Sequence, residues 1–263
     1  MAVGICLLSA SSLKAQNAKS DFRWPQGKRV AVSFSFDDAR LSQIDVGTPL
    51  LDKYGVKATF YVSPRSVEKR LDGWKKAVAS GHEIGNHSLT HPCTVNFGFS
   101  QQNALENYTI PMMEKQLDDA NTEIQRLLGV KPVTFAYPCG QKFIGRGAGV
   151  QSYVPLVAKR FLVGRGFRDE MSNVPAACDL AQVLGTDSDG LTFEQMRDLV
   201  VTASQQGRWI AFAGHEIGKP GRQVTLAAAL EQFIQYAKDP ANGVWLDTVQ
   251  AVAKHIQAQR GAR

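Results

Sequence analysis

Short apolar segments alternate with amphipathic stretches along almost all of the 263 residues, and this alternation limits the fold more than any other feature. Strand-like runs are read at residues 29–36, 58–62, 82–86, 133–137, 161–164, 209–214 and 243–246. Helical periodicity is read over residues 41–54, 67–80, 101–128, 193–206 and 225–237. Gly55, Gly81, Gly129 and Gly207 follow helical stretches, where glycine takes the left-handed conformation that stops a helix. About seven such alternations predict a parallel α/β architecture. No internal repeat or low-complexity linker divides the chain, so a single domain is the economical expectation. In a closed parallel barrel, residues just beyond the C-terminal ends of the strands converge at one mouth.

The chemistry of this chain lies at those positions. Asp37-Asp38 follows the first apolar run, His87-Ser88-Leu89-Thr90-His91-Pro92 follows the third, and His215 follows the nearly all-apolar run 209–214. A carboxylate and two imidazoles suffice to hold a divalent ion on one face and leave the other open to water and substrate. Alone, Asp37-Asp38 reads more simply as a helix N-cap pair. His87 and His91 alone fit one core and one exposed histidine almost as well as a ligand pair. His215 reads either as a proton donor beside a metal or as a polar strand end bonded to Glu216. His82 and His255 carry no functional expectation.

Composition narrows the classes further. The formal charge is +6, with 44% hydrophobic and 21% charged residues, but no dense basic block or aromatic-interleaved basic stripe is present. A nucleic-acid partner is not expected. Phe36 leads straight into Asp37-Asp38-Ala39-Arg40, without the glycine-rich loop a nucleotide phosphate needs. Residues 1–16 read as a signal peptide, through Val3, Ile5, Cys6, Leu7 and Leu8, although no basic flank precedes the apolar run. Export is therefore expected, with the catalytic domain over residues 17–263. No other stretch approaches the roughly 20 apolar residues that span a bilayer. The four cysteines form no Cys-x-x-Cys pair, and Cys93, Cys139 and Cys178 are expected to be small buried thiols, the first two flanking the site.

Together these segments resemble the polysaccharide deacetylase family, the carbohydrate esterases with a NodB-type homology domain. Phe34-Ser35-Phe36-Asp37-Asp38 resembles the family's first motif. Residues 81–92, Gly-His-Glu-Ile-Gly-Asn-His-Ser-Leu-Thr-His-Pro, are a close match to its metal-binding motif. Phe135-Ala136-Tyr137-Pro138-Cys139-Gly140 resembles the third motif, and Ala213-Gly214-His215 the last. The resemblance implies a deformed (β/α) barrel of about seven parallel strands. It implies a divalent metal, zinc most often with cobalt or nickel as alternatives, held by Asp38, His87 and His91. Asp37 would be the general base and His215 the general acid, with the Cys139 backbone N–H in the oxyanion site. Tyr137, Phe212 and Trp245 are expected around the acetyl methyl from their strand-end positions.

The resemblance has departures. Ala39 replaces a customary glycine, and Ala136 stands where the third motif commonly has an arginine beside the base. Arg165 or Arg168, past the fifth apolar run, is expected to supply that charge from elsewhere, because an opposite charge favours the ionised base. The fourth motif is not clear, which leaves Asp169, Asp187 and Asp189 as candidates to orient His215. The expected activity is removal of acetyl groups from an N-acetylated glycan of the chitin, peptidoglycan or poly-N-acetylglucosamine type. An O-acetyl esterase acting on xylan and a glycan-binding pseudoenzyme are the alternatives. Hydrolysis of cyclic ureides is disfavoured by the intact Asp38, His87 and His91. The sequence carries no signal of oligomeric state.

Overall fold

The computed structural model describes residues 22–261, and the signal segment expected at residues 1–16 lies outside them. Eight parallel strands form the main sheet: β1 (Val30–Asp37), β2 (Thr59–Val62), β3 (Glu83–Asn86), β4 (Thr134–Ala136), β5 (Val163–Arg165), β6 (Gly185–Asp187), β7 (Trp209–Gly214) and β8 (Val244–Leu246). Seven run in the order β5-β4-β3-β2-β1-β7-β6. A parallel bridge between Arg165 and Val183 joins the two ends into a nearly closed barrel. The eighth strand, β8, pairs with Val30–Val32 at the start of β1, whereas Ser35–Asp37 at its end pair with β2. This wedge opens the barrel at the end away from Asp37 and accounts for its deformed outline. Around the sheet lie α1 (Thr48–Lys53), α2 (Leu71–Ala79), α3 (Ile110–Leu128), α4 (Val154–Arg160), α5 (Phe193–Ser204), α6 (Ala227–Lys238) and α7 (Val249–Gly261).

Strand β1 shows how the sequence divides inside from outside. All eight of its residues are buried. Val30, Val32, Phe34 and Phe36 share one cluster with Trp74, Ile124, Met196 and Phe233 from the surrounding helices. The alternate residues face into the barrel, following the two-residue period of a strand. There Ser33 Oγ accepts from Trp209 Nε1 at 3.1 Å, and Ser35 Oγ donates to the Phe212 carbonyl at 2.6 Å. These serines thus put polar groups inside the barrel and bond them there. Gly85 on β3 is required by this interior, since a Cβ there would lie 2.4 Å from the Tyr61 ring and 2.9 Å from Thr134 Oγ1.

The strand count agrees with expectation, but its membership differs. The expected run at 243–246 is the off-path strand β8, while the barrel strand β6 was not read at all. Gly185-Thr186-Asp187 is three residues with no apolar alternation, and pairing with β7 alone makes it a strand. Helix α3 begins at Ile110 rather than at residue 101. Thr109 caps it by accepting from Met112 N, and Pro111 has the fixed φ that suits a first turn. Residues 98–107 are instead short 3-10 turns in a loop.

Candidate active site

Asp37 and Asp38 lie where β1 breaks. Asp37 ends the strand, and Asp38 and Ala39 then turn through positive φ of 73° and 52°, sending the two carboxylates to different neighbours. The Asp37 carboxylate is buried and accepts from Arg165 Nη2. Burial alone would raise its pKa, but Arg165, His87 and His215 together hold it below the usual carboxylate range. The Asp37 carbonyl accepts from Gln43 Nε2 at 2.6 Å, and the same amide donates to the His215 carbonyl at 2.8 Å. This single buried side chain ties the ends of β1 and β7 together.

Asp38 Oδ1 faces two imidazole nitrogens, His87 Nε2 and His91 Nε2, each at 3.4 Å. Its other oxygen accepts from Arg40 at 2.8 Å. Burial is outweighed by His87, His91 and Arg40, so the Asp38 carboxyl is held far below its ordinary range. His87 Nδ1–H donates to the Ala136 carbonyl at 3.0 Å, since a carbonyl can only accept, and this holds the ring with Nε2 toward Asp38. His91 sits at φ 53°, and its pKa is pushed down to about 4 by burial and by His87 beside it. One ligand atom from each of Asp38, His87 and His91 lies within 4.8 Å of the others. A carboxylate and two imidazoles in that arrangement fit a divalent ion.

A second cluster of ligand-type residues, His91, Cys93 and Cys139, offers no thiolate, because Cys93 and Cys139 are joined in a disulfide. The expectation of buried free thiols is corrected for these two, and Cys178 is free but only partly buried. Their pairing closes 46 residues of sequence and could not be read from spacing. It ties the segment just after His91 to Cys139, which lines the same cavity.

His215 caps β7 next to this group. Its Nδ1 pairs with Asp189 Oδ2 at 2.7 Å, and its backbone N–H donates to Asp189 Oδ1 at 3.1 Å. Burial would lower the His215 pKa, but Asp189 and Asp37 raise it above the ordinary histidine value. Asp189 is therefore the partner among the three candidates. Asp169 instead accepts from Gly185 N at 2.9 Å, and Asp187 pairs with Arg168 at 3.0 Å.

The two arginine candidates separate in the same way. Arg165, on β5, is fully buried against Asp37, with its guanidinium 4.9 Å from the centre of the Tyr61 ring. Arg168 lies at the cavity rim over Phe167. Tyr137 is not in the cavity: its ring is buried among Phe135, Tyr153 and Phe161, and its hydroxyl donates to the Ala181 carbonyl at 2.8 Å. Phe212 and Trp245 likewise pack in hydrophobic clusters away from the lining. The aromatic lining comes from Phe97, Phe99 and Phe167, around a cavity of about 540 Å³ that contains Asp37, Asp38, His87, His91, Cys139 and His215. Gln43 and the phenylalanines of the 97–99 loop carried no sequence signal, since glutamine and loop phenylalanine have many uses.

Known proteins share these features. The polysaccharide deacetylase family profile matches residues 24–145. A 90-residue stretch, 32% of this chain, is 33% identical to 19% of the peptidoglycan-N-acetylglucosamine deacetylase PgdA of Listeria monocytogenes. The chain spans a quarter or less of the length of the first curated relatives it matches. Among solved structures, a candidate polysaccharide deacetylase from Mycobacterium smegmatis superposes with a TM-score of 0.66 at 21% identity, over 91% of this chain and 94% of that one. A family 4 acetyl xylan esterase from Clostridium thermocellum, in complex with a cobalt ion, gives 0.56 at 23% identity, over 85% and 90%. At these identities the structural likeness is one of fold. The sequence profile adds what fold alone does not: residues 24–145, with the paired aspartates and the two-histidine motif in place, match the polysaccharide deacetylase family.

Proposed function

We propose that this chain is a metal-dependent hydrolase that removes acetyl groups from an N-acetylated polysaccharide of the chitin, peptidoglycan or poly-N-acetylglucosamine type. The observation that carries this reading is the one cavity lined by the Asp38, His87 and His91 cluster, the Arg165-paired Asp37 and the Asp189-paired His215. A divalent ion held by Asp38, His87 and His91, zinc in the first instance with cobalt or nickel as alternatives, supplies Lewis-acid polarisation and a lowered pKa for water.

The protein's own groups do the rest. Asp37, kept ionised by Arg165, takes a proton from the attacking water. His215, kept protonated by Asp189 and Asp37, gives a proton to the departing amine. The Cys139 backbone N–H is the donor assigned to the developing oxyanion. The acetyl methyl would meet Phe167 rather than Tyr137, Phe212 or Trp245. Retention of base, acid and ligands together favours turnover over a glycan-binding role. Export is proposed with it, since a Cys93–Cys139 disulfide persists in an oxidising compartment. Cell fractionation that leaves the chain in the cytosol would remove that part.

The test is acetate release from N-acetylglucosamine oligomers, peptidoglycan and acetylated xylan, with metal stripped and then restored. Metal-dependent acetate from an N-acetylated glycan is expected. Acetate from xylan alone would make the chain an O-acetyl esterase. No acetate from any substrate, with one equivalent of metal bound, would overturn the hydrolase reading.

A further inference from the structure

Two phenylalanines stand open beside this centre. Phe97 and Phe99 are 40% and 68% exposed, their ring centres lie 5.5 Å apart, and both line the cavity. The Phe99 ring centre is 5.9 Å from that of His91. Single exposed apolar residues need no explanation, but a contiguous pair on the wall of a polar cavity marks a binding surface.

The loop that carries them is pinned at many points. The Cys93–Cys139 disulfide anchors its start. Ser100 Oγ accepts from Cys93 N and donates to the Cys93 carbonyl, both at 2.8 Å. Gln141 accepts from Thr94 N at 2.8 Å and donates to its hydroxyl at 3.2 Å. Asn103 Nδ2 donates to the Thr90 carbonyl at 3.1 Å, and Tyr108 donates its hydroxyl proton to Asn103 Oδ1. The rings are therefore set before any ligand arrives, which reduces the ordering cost of binding.

We propose that Phe97 and Phe99 form a stacking platform for the sugar residue next to the one being deacetylated, held in register with the metal ligands by the Cys93–Cys139 disulfide. This rests on the deacetylase reading and narrows it to a substrate of two or more linked sugars. A pyranose in an extended chain presents a flat face of C–H groups, which suits the electron-rich face of an aromatic ring. Continuity of the pair with the candidate active-site cavity selects a glycan over a protein partner.

The experiment uses the metal-loaded protein and N-acetylglucosamine oligomers of increasing length. In the unsubstituted protein KM should fall as the oligomer grows. Phe97→Ala and Phe99→Ala should raise KM for long oligomers about ten-fold more than for the monomer, equivalent to ~1.4 kcal/mol. The Cys93→Ser/Cys139→Ser double variant should show the same length-dependent rise in KM. Phe143→Ala, which alters an exposed phenylalanine outside the cavity, should show none. Equal effects at every length, or no effect in either Phe97→Ala or Phe99→Ala, would overturn the platform and leave the deacetylase reading intact. If the unsubstituted protein releases no acetate, that reading fails, and calorimetry of the same oligomers decides the platform. Weaker binding by Phe99→Ala then supports it, and unchanged binding overturns it.

Discussion

Arg165 illustrates what one residue does when its partner is distant in sequence. It lies 128 positions from Asp37, yet the two are buried side by side, in a place where the local third-motif segment offers only Ala136. Arg165→Ala should strand a buried carboxylate, costing about 3–5 kcal/mol of stability and most of the turnover. Denaturant unfolding and acetate release would check both, and unchanged turnover would remove Arg165 from the site. Asp189 acts in the same manner on His215. Because Asp189 favours the protonated imidazole, Asp189→Asn should lower the His215 pKa. The alkaline limb of the kcat/KM profile should then move to lower pH, since the protonated acid is lost sooner as pH rises. An alkaline limb that stays in place would show that His215 is not the titrating acid. Both partners were on the sequence's short lists, because charge type is legible in a sequence and direction is not.

At the scale of elements, periodicity located the strands that carry an apolar face of their own and failed where pairing alone makes the structure. Strand β6 has no pattern of its own, and residues 101–109 carry polar and apolar residues at spacings that also suit a loop. Helix docking shows a further tertiary choice. The first amides of α7 find partners on the barrel floor: Val249 N donates to Thr59 Oγ1 at 2.9 Å and Gln250 N to Glu83 Oε2 at 2.8 Å. Glu83 also accepts from the hydroxyls of Thr59 and Thr134. Glu83→Ala should therefore cost about 1–3 kcal/mol through lost buried hydrogen bonds, readable as a lower Tm. An unchanged Tm would mean that solvent replaces those bonds without cost.

For the whole molecule, barrel closure brings ligand atoms of Asp38, His87 and His91 within 4.8 Å of one another. A preformed site converts ion binding into stability, so zinc at a thousand-fold excess over its Kd should stabilise the fold by about 4 kcal/mol. Calorimetric melting with and without chelator would measure it, and His91→Ala should abolish the shift. A Tm indifferent to added metal would argue against the Asp38, His87 and His91 site.

By itself the sequence determined the alternation that makes a parallel barrel, and it singled out Asp37, Asp38, His87, His91 and His215 as candidates, which the fold gathers at one cavity. Those are local properties, since strand period and motif spacing act over a few residues. Only the tertiary structure decided that Arg165 rather than Arg168 meets Asp37, that Asp189 orients His215, and that Cys93 joins Cys139. It also decided that Tyr137 belongs to the core and that Phe97 and Phe99 face the cavity. Such contacts depend on which strand ends become neighbours when the barrel closes and on where each side chain then points, and no local pattern in the chain records either.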